Sequence, residues 1–271
     1  MKKRKSSIPA EIVKSRKMIY KLAKNDFRTK YAGSYLGSVW AFIQPVITVL
    51  VYWFVFEVGF RGGSDSLPVP FVLYLVAGII PWFFFQDGLT GGTNSLLEYS
   101  YLVKKVVFNI SVLPVVKILS AVFVHVFFIF FITVLYCCYG HFPDLYYLQL
   151  LYYLAGLLLL ILGISYLTSA VVVFFRDLSQ MISIALQIGI WLTPIMWVAE
   201  DKLIHYPVVY KILKLNPVYY IVTGYRDVFI YKNWFWERPL WTAYFWCFVL
   251  GMLWLGTSVF KKLRVHFADV I

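Results

Sequence analysis

Six apolar runs of about 20 residues set the limits on this fold, because that length carries a helix across a bilayer. The first, at about residues 39–60, is almost free of polar side chains. Five more follow at about residues 71–89, 115–139, 148–175, 181–198 and 240–260. A spanning segment must satisfy its own backbone polar groups. The predicted fold class is all-α integral membrane, with six transmembrane helices.

Charge agrees with this. Only 14% of the 271 residues are charged, against 61% hydrophobic and 20% aromatic, whereas soluble domains carry about 25% charged residues. The net charge of +12 does not indicate nucleic acid, because it is concentrated at one end. Eleven of the 25 basic residues, from Lys2 to Lys30, precede the first run. Lys104, Lys105, Arg176, Lys261, Lys262 and Arg264 fall on the same side if the chain crosses six times. That asymmetry predicts a multi-pass protein with both termini cytoplasmic, the basic segment being drawn to anionic lipid. No apolar run follows the basic start closely enough for a cleaved signal peptide. Cys137, Cys138 and Cys247 lie in apolar runs with no metal spacing, so they reveal no redox compartment.

Residues 1–38 read as a basic tail and an amphipathic helix, and residues 39–271 as the spanning domain. Lys17, Lys21, Lys24 and Arg28 fall on one helix face, with Ile19, Leu22, Ala23 and Phe27 roughly opposite. That pattern suits a helix lying in a headgroup layer. Gly33 and Gly37 then offer either a hinge into the membrane or a small-residue packing motif. Gln44 and Pro45 interrupt the first span. Asp87 is either a functional intramembrane charge or a solvated group at the inner interface. Residues 96–107 read as a short amphipathic helix, either suited to docking in a partner's groove or an ordinary loop helix covering the bundle. Residues 199–239, semi-polar throughout, suggest short helices embedded at the membrane surface, as an exit lid or a cap over helix ends.

No catalytic site is visible. There is no phosphate-binding G-x-x-x-x-G-K-[ST], no H-E-x-x-H and no G-x-S-x-G, and the four histidines are scattered. Any ATP and Mg would sit on a partner subunit. The many Trp and Tyr residues suit a sugar path or an interfacial belt.

Several motifs carry a resemblance. Residues 35–40 (Y-L-G-S-V-W) with Gln44-Pro45, residues 102–106 (L-V-K-K-V) with Pro114, Phe175-Arg176-Asp177-Leu178, and residues 216–220 (N-P-V-Y-Y) before Tyr225-Arg226 resemble ABC-2 type permeases that export polysaccharides. Val51-Tyr52-Trp53, Phe60-Arg61 and Phe267-Ala268-Asp269 are most similar to the wall teichoic acid branch. The resemblance implies an ABC-2 exporter fold with an interface helix, a cytoplasmic coupling helix and outer reentrant gate helices. It implies two ATP-binding subunits, a second copy of the chain, a lipid-linked anionic polysaccharide as cargo, and a Gram-positive cytoplasmic membrane. Coupling falls to Tyr99, Leu102, Val103, Lys104 and Lys105, and the cytoplasmic end of span four to Arg176 and Asp177. The expected path residues are Trp40, Gln44, Tyr52, Trp82 and Phe85, with Arg28 and Lys30 holding phosphate at the entrance. One position departs from the family: Asn109 stands where relatives carry Pro after Phe108.

Overall fold

In the computed structural model, residues 8–30, 33–59, 67–104, 108–199, 203 and 205–270 are described. They are helical nearly throughout, without strands among the described residues. In order these are α1 (Ile8–Lys14), α2 (Arg16–Thr29), α3 (Trp40–Trp53), α4 (Phe71–Glu98), α5 (Ser100–Val103) and α6 (Leu113–Cys138). Then come α7 (Gln149–Val172), α8 (Leu178–Leu192), α9 (Pro207–Lys214), α10 (Pro217–Arg226), α11 (Pro239–Leu263) and α12 (Phe267–Val270). Among the described residues, five helical stretches are long and apolar enough to cross a membrane: Gly37–Gly59, Phe71–Glu98, Ile110–Cys138, Leu145–Val172 and Pro239–Leu263.

Burial ranks them. The apolar window of α4 is 78% buried, whereas that of the α3 span is 11% buried. So α4 is the central pillar, packed by α6, α7 and α10, and α3 stands at the periphery. Helices α7 and α11 cross so closely that a Cβ on Gly256 would strike the Gly163 carbonyl, and one on Gly163 would lie 2.9 Å from the Leu253 nitrogen. Small residues allow this backbone contact, the usual route to tight helix pairs in lipid.

The two ends of the bundle differ. Ile8, Leu96, Tyr99, Val103, Leu113, Tyr166, Val173, Phe260 and Phe267 share one small core. Both described termini therefore lie at the same end, which we call the terminal end. α9, α10 and the start of α11 gather at the opposite end.

Four expectations change. The second span does not stop near residue 89: α4 continues to Glu98, because its last three turns bury Leu89, Gly92, Thr93, Ser95 and Leu96. The helix expected over 96–107 is correspondingly broken. Tyr99 leaves helical geometry at φ −100° and ψ 29°, and only the four residues of α5 follow; residues 105–107 lie outside the described residues. The fifth span, expected at about 181–198, ends early. α8 has 15 residues, short of the ~20 that cross a bilayer. Thr193 turns extended (φ −81°, ψ 126°), as a residue before proline tends to. Last, the outer segment is not all at the surface. α9 is exposed, but in α10 Val218 to Val222 and Gly224 to Arg226 are buried against α4 and α7.

The amphipathic helix also differs from a free headgroup helix. The apolar face of α2, with Ile19 and Ala23, is buried on Val112, in the turn before α6, and on Val116 of α6, while Lys17, Lys21, Lys24 and Arg28 are exposed. Gly33 and Gly37 have φ of +91° and +53°, and a Cβ on either would meet nothing within 4 Å. That is turn geometry, which only glycine adopts readily, not a helix-packing contact.

Candidate functional site

Two adjoining cavities lie between α2, α3, α4 and α6. The one nearer the terminal end holds about 470 Å³ and is bounded by Asp26, Glu98, Tyr99 and Lys117. The deeper one holds about 540 Å³ and is bounded by Trp40, Gln44, Thr48 and Tyr52 on one side and Phe83, Asp87 and His125 on the other. Lys30, Asp87, Thr90 and Ala121 line both, so the two form one cleft.

Helical spacing explains the α3 wall. Trp40, Gln44, Thr48 and Tyr52 recur every four residues and so share one face. Pro45 lacks an N–H for the Ala41 carbonyl, and both residues line the cleft. The wall alternates rings with an amide and a hydroxyl, a lining that packs against sugar C–H faces and hydrogen-bonds their hydroxyls.

Where the cavities meet, Lys30 forms an ion pair with Asp87, each side chain about two-fifths exposed. Asp87 lies eleven residues before Glu98, about 16 Å along the axis at 1.5 Å per residue. This makes Asp87 a cleft-lining charge deep in α4, not a group at its end.

The terminal-end cavity rests on a buried polar cluster. Asp26, 4% exposed, accepts hydrogen bonds at Oδ1 from the Lys117 ammonium at 2.6 Å and the Tyr99 hydroxyl at 2.8 Å. Lys117 also pairs with Glu98. Burial, and then the Asp26 carboxylate, push the Tyr99 phenol well above its ordinary range. It stays protonated and donates. A buried carboxylate with two donors meets the requirement that buried charge be paired.

Not every expected residue is here. Trp40, Gln44, Tyr52 and Lys30 come together in the cleft. Trp82 and Phe85 do not; they are 2% and 7% exposed. Trp82 packs on Gly189 of α8, where a Cβ would lie 2.8 Å from its ring, and Phe85 packs on Trp82 at 5.7 Å between centroids. Arg28 points to the surface and is not among the residues bounding the cleft. Tyr99 and Val103 are buried in the terminal core, and Tyr99 also lines the terminal-end cavity. Leu102 is half-buried against the same core, Lys104 is exposed, and Lys105 lies outside the described residues. Tyr101, 57% exposed, is the neighbour that sequence reasoning passed over. Arg176 and Asp177 sit exposed in the turn before α8. Asn109 caps the turn at Ile110–Val112, its side chain accepting from the Ser111 N–H at 3.3 Å.

Asp26 and Lys117 were missed as site residues. The signal was present: Asp26 is in register with Ile19 and Ala23 on the apolar face of α2, where a lone acid demands a buried cation.

At the deep end, His125 stacks on Phe84 at 4.5 Å and shares a 2.8 Å hydrogen bond with the Tyr225 hydroxyl. Next to it, Arg226 donates to the carbonyls of Pro194 and Ile195 at 2.7 and 2.8 Å, and stands 3.6 Å from the Tyr74 ring centre. Asn216 caps α10 through the Val218 N–H at 2.9 Å and donates to Thr193 at 2.9 Å. The N-P-V-Y-Y and Y-R motifs thus bind α10 to the break after α8.

Comparison with known proteins bears on this arrangement. The O-antigen export system permease protein RfbA of Klebsiella pneumoniae is 26% identical over 253 residues, 92% of this chain and 93% of that protein. Its namesake in Myxococcus xanthus is 26% identical over 264 residues, covering 96% and 98%. The family signature described as ABC-2 type transporter matches residues 18–230, from α2 through the cleft to α10 and the turn after it. With that match over most of its length, this multi-pass membrane chain belongs to the ABC-2 type transporter family.

Proposed function

We propose that this chain is the membrane-spanning subunit of an ATP-driven exporter of lipid-linked polysaccharide. The cargo reading is an O-antigen type polymer, following the relatives' names. Nothing in those relatives speaks for the teichoic acid cargo suggested by the sequence motifs. The basic terminal end faces the cytoplasm, and two copies of the chain pair with two ATP-binding subunits that carry ATP and Mg.

The observation that carries this reading is the cleft. It combines ring faces, an amide and hydroxyls on α3 with the Lys30–Asp87 pair. Trp40 and Tyr52 stack on sugar rings. Gln44, Thr48 and Thr90 exchange hydrogen bonds with sugar hydroxyls. Lys30 meets the phosphate that joins polymer to lipid, trading Asp87 for a doubly bonded anion. An ATP-binding partner is required by the absence of a phosphate-binding loop in the chain.

The test is reconstitution with the cognate ATP-binding subunit in proteoliposomes. Lipid-linked O-polysaccharide is expected to stimulate ATP hydrolysis and to become accessible on the far side. Gln44→Ala with Trp40→Ala should lower that stimulation about tenfold, the loss of two contacts of ~0.7 kcal/mol each. Stimulation by teichoic acid polymer alone would reassign the cargo. Turnover without the ATP-binding subunit would overturn the reading.

A further inference from the structure

A third cavity lies at the end of the bundle opposite the termini, away from the cleft. It holds about 370 Å³, at the lower end of the roughly 300–1,000 Å³ of small-molecule sites. Its walls come from the start of α4, from Val198 after α8, and from the stretch between Tyr210 and Trp241, which runs from α9 through α10 and the turn after it into the first turn of α11.

Its charge is one-sided. Lys214, Arg226 and Arg238 line it, and no carboxylate does among the described residues. Arg238 is neutralised, since it grips the buried Asp227 with both amines at 2.9 and 3.0 Å. Among the described residues the other two meet no carboxylate. Arg226, 3% exposed, spends its two amines on backbone carbonyls, and its Nε has no partner among the described residues. Lys214 stands over the rings of Tyr210 at 4.4 Å and Trp241 at 5.6 Å and makes no ion pair among the described residues. The Thr223 hydroxyl is buried and has no partner among the described residues, and Thr223 also lines the cavity.

A buried cation with no counter-charge, as Arg226 is among the described residues, is costly, and the cost falls when an anion enters beside it and the part-exposed Lys214. Rings hold Lys214 in position, so little side-chain freedom is lost when it binds. Tyr210, Tyr231 and Trp241 add aromatic wall around the charges. We propose that this cavity is an anion subsite for a phosphate group, borne either by a sugar or by a lipid headgroup. Lys214 is its principal charge, Thr223 a hydroxyl donor and the aromatic wall the seat of the attached group. The subsite goes beyond the export reading and does not rest on it.

The experiment uses the full chain in nanodiscs of zwitterionic phosphatidylcholine, with glucose 1-phosphate as the probe in saturation-transfer NMR and calorimetry. Glucose 1-phosphate is expected to bind. Lys214→Gln should weaken binding about tenfold, the loss of one charged hydrogen bond, Lys214→Arg should restore most of it, and the thermal midpoint should move in neither. Repetition in phosphatidylglycerol discs separates the sources. A large fall in probe affinity there, abolished by Lys214→Gln, assigns the pocket to lipid headgroups; an unchanged affinity assigns it to phosphorylated sugar. No binding in phosphatidylcholine discs, or binding indifferent to Lys214→Gln, overturns the subsite. Such a failure leaves the export reading standing, which is judged on polymer-stimulated ATP hydrolysis.

Discussion

At the scale of single residues, Arg226 shows how one side chain repairs a break in the backbone. Pro194 ends regular structure after α8 and leaves carbonyls with no helical donor. Arg226 reaches them from α10 through space that Gly78 leaves on α4, where a Cβ would lie 2.9 Å from the Arg226 Nη2. Arg226→Met removes two charged hydrogen bonds from buried acceptors and should cost about 3 kcal/mol or more. Gly78→Ala forces the guanidinium off its carbonyls and should cost ~1–3 kcal/mol. Thermal unfolding in one detergent measures both. In the double variant the losses should fall short of their sum, because both act on one contact; full additivity would mean that Gly78 matters for another reason.

At the scale of elements, α2 is held by a polar anchor set in an apolar face. Ile19 and Ala23 supply the burial, and Asp26 ties the helix to α6 through Lys117 and to the end of α4 through Tyr99. Asp26→Asn should leave Lys117 with Glu98 alone and let α2 open more often. Hydrogen exchange over residues 16–29 is expected to quicken about tenfold, equivalent to ~1.4 kcal/mol, while exchange in α7 stays as it was. Equal acceleration in both helices would mean that the cluster supports the whole bundle instead. This element also shows what a sequence can and cannot display. The two faces of α2 and the α3 stripe of Trp40, Gln44 and Tyr52 are legible because helical periodicity alone sorts them. Trp82 and Phe85 are not, because a ring looks the same in sequence whether it faces a cavity or Gly189 on a neighbouring helix. The run-on of α4 past residue 89 is hidden for a related reason. Gly91, Gly92, Thr93, Asn94 and Ser95 read as a polar loop, yet Gly92, Thr93 and Ser95 are buried. The Thr93 hydroxyl and that of Thr168 on α7 hydrogen-bond each other at 2.7 Å, and Ser95 donates to the Gly92 carbonyl within α4, so these side chains find partners without water.

At the scale of the whole molecule, α4 joins everything the export reading needs. Its terminal end bends at Tyr99 into α5, its middle carries Asp87 into the cleft, and its start places Tyr74 beneath Arg226. It is also the most buried of the five long spans among the described residues, so in the export reading a displacement applied at α5 meets a helix packed on most of its sides. Among the described residues around α5, Tyr101 and Lys104 are exposed, whereas Tyr99 and Val103 anchor α5 to the terminal core; in the export reading the exposed pair receives the displacement. The two sets should therefore fail differently. Tyr101→Ala with Lys104→Glu should leave the thermal midpoint of the isolated chain unchanged and reduce polysaccharide-stimulated ATP hydrolysis of the reconstituted complex about fivefold or more, equivalent to ~1 kcal/mol of lost coupling. Tyr99→Phe should lower the midpoint by removing the hydroxyl that Asp26 accepts, at a cost of about 1–2 kcal/mol, and spare stimulation in the molecules that remain folded. If Tyr101→Ala with Lys104→Glu hydrolysed ATP and moved polymer as the parent does, α5 would not be the place where the ATP-binding partner pushes.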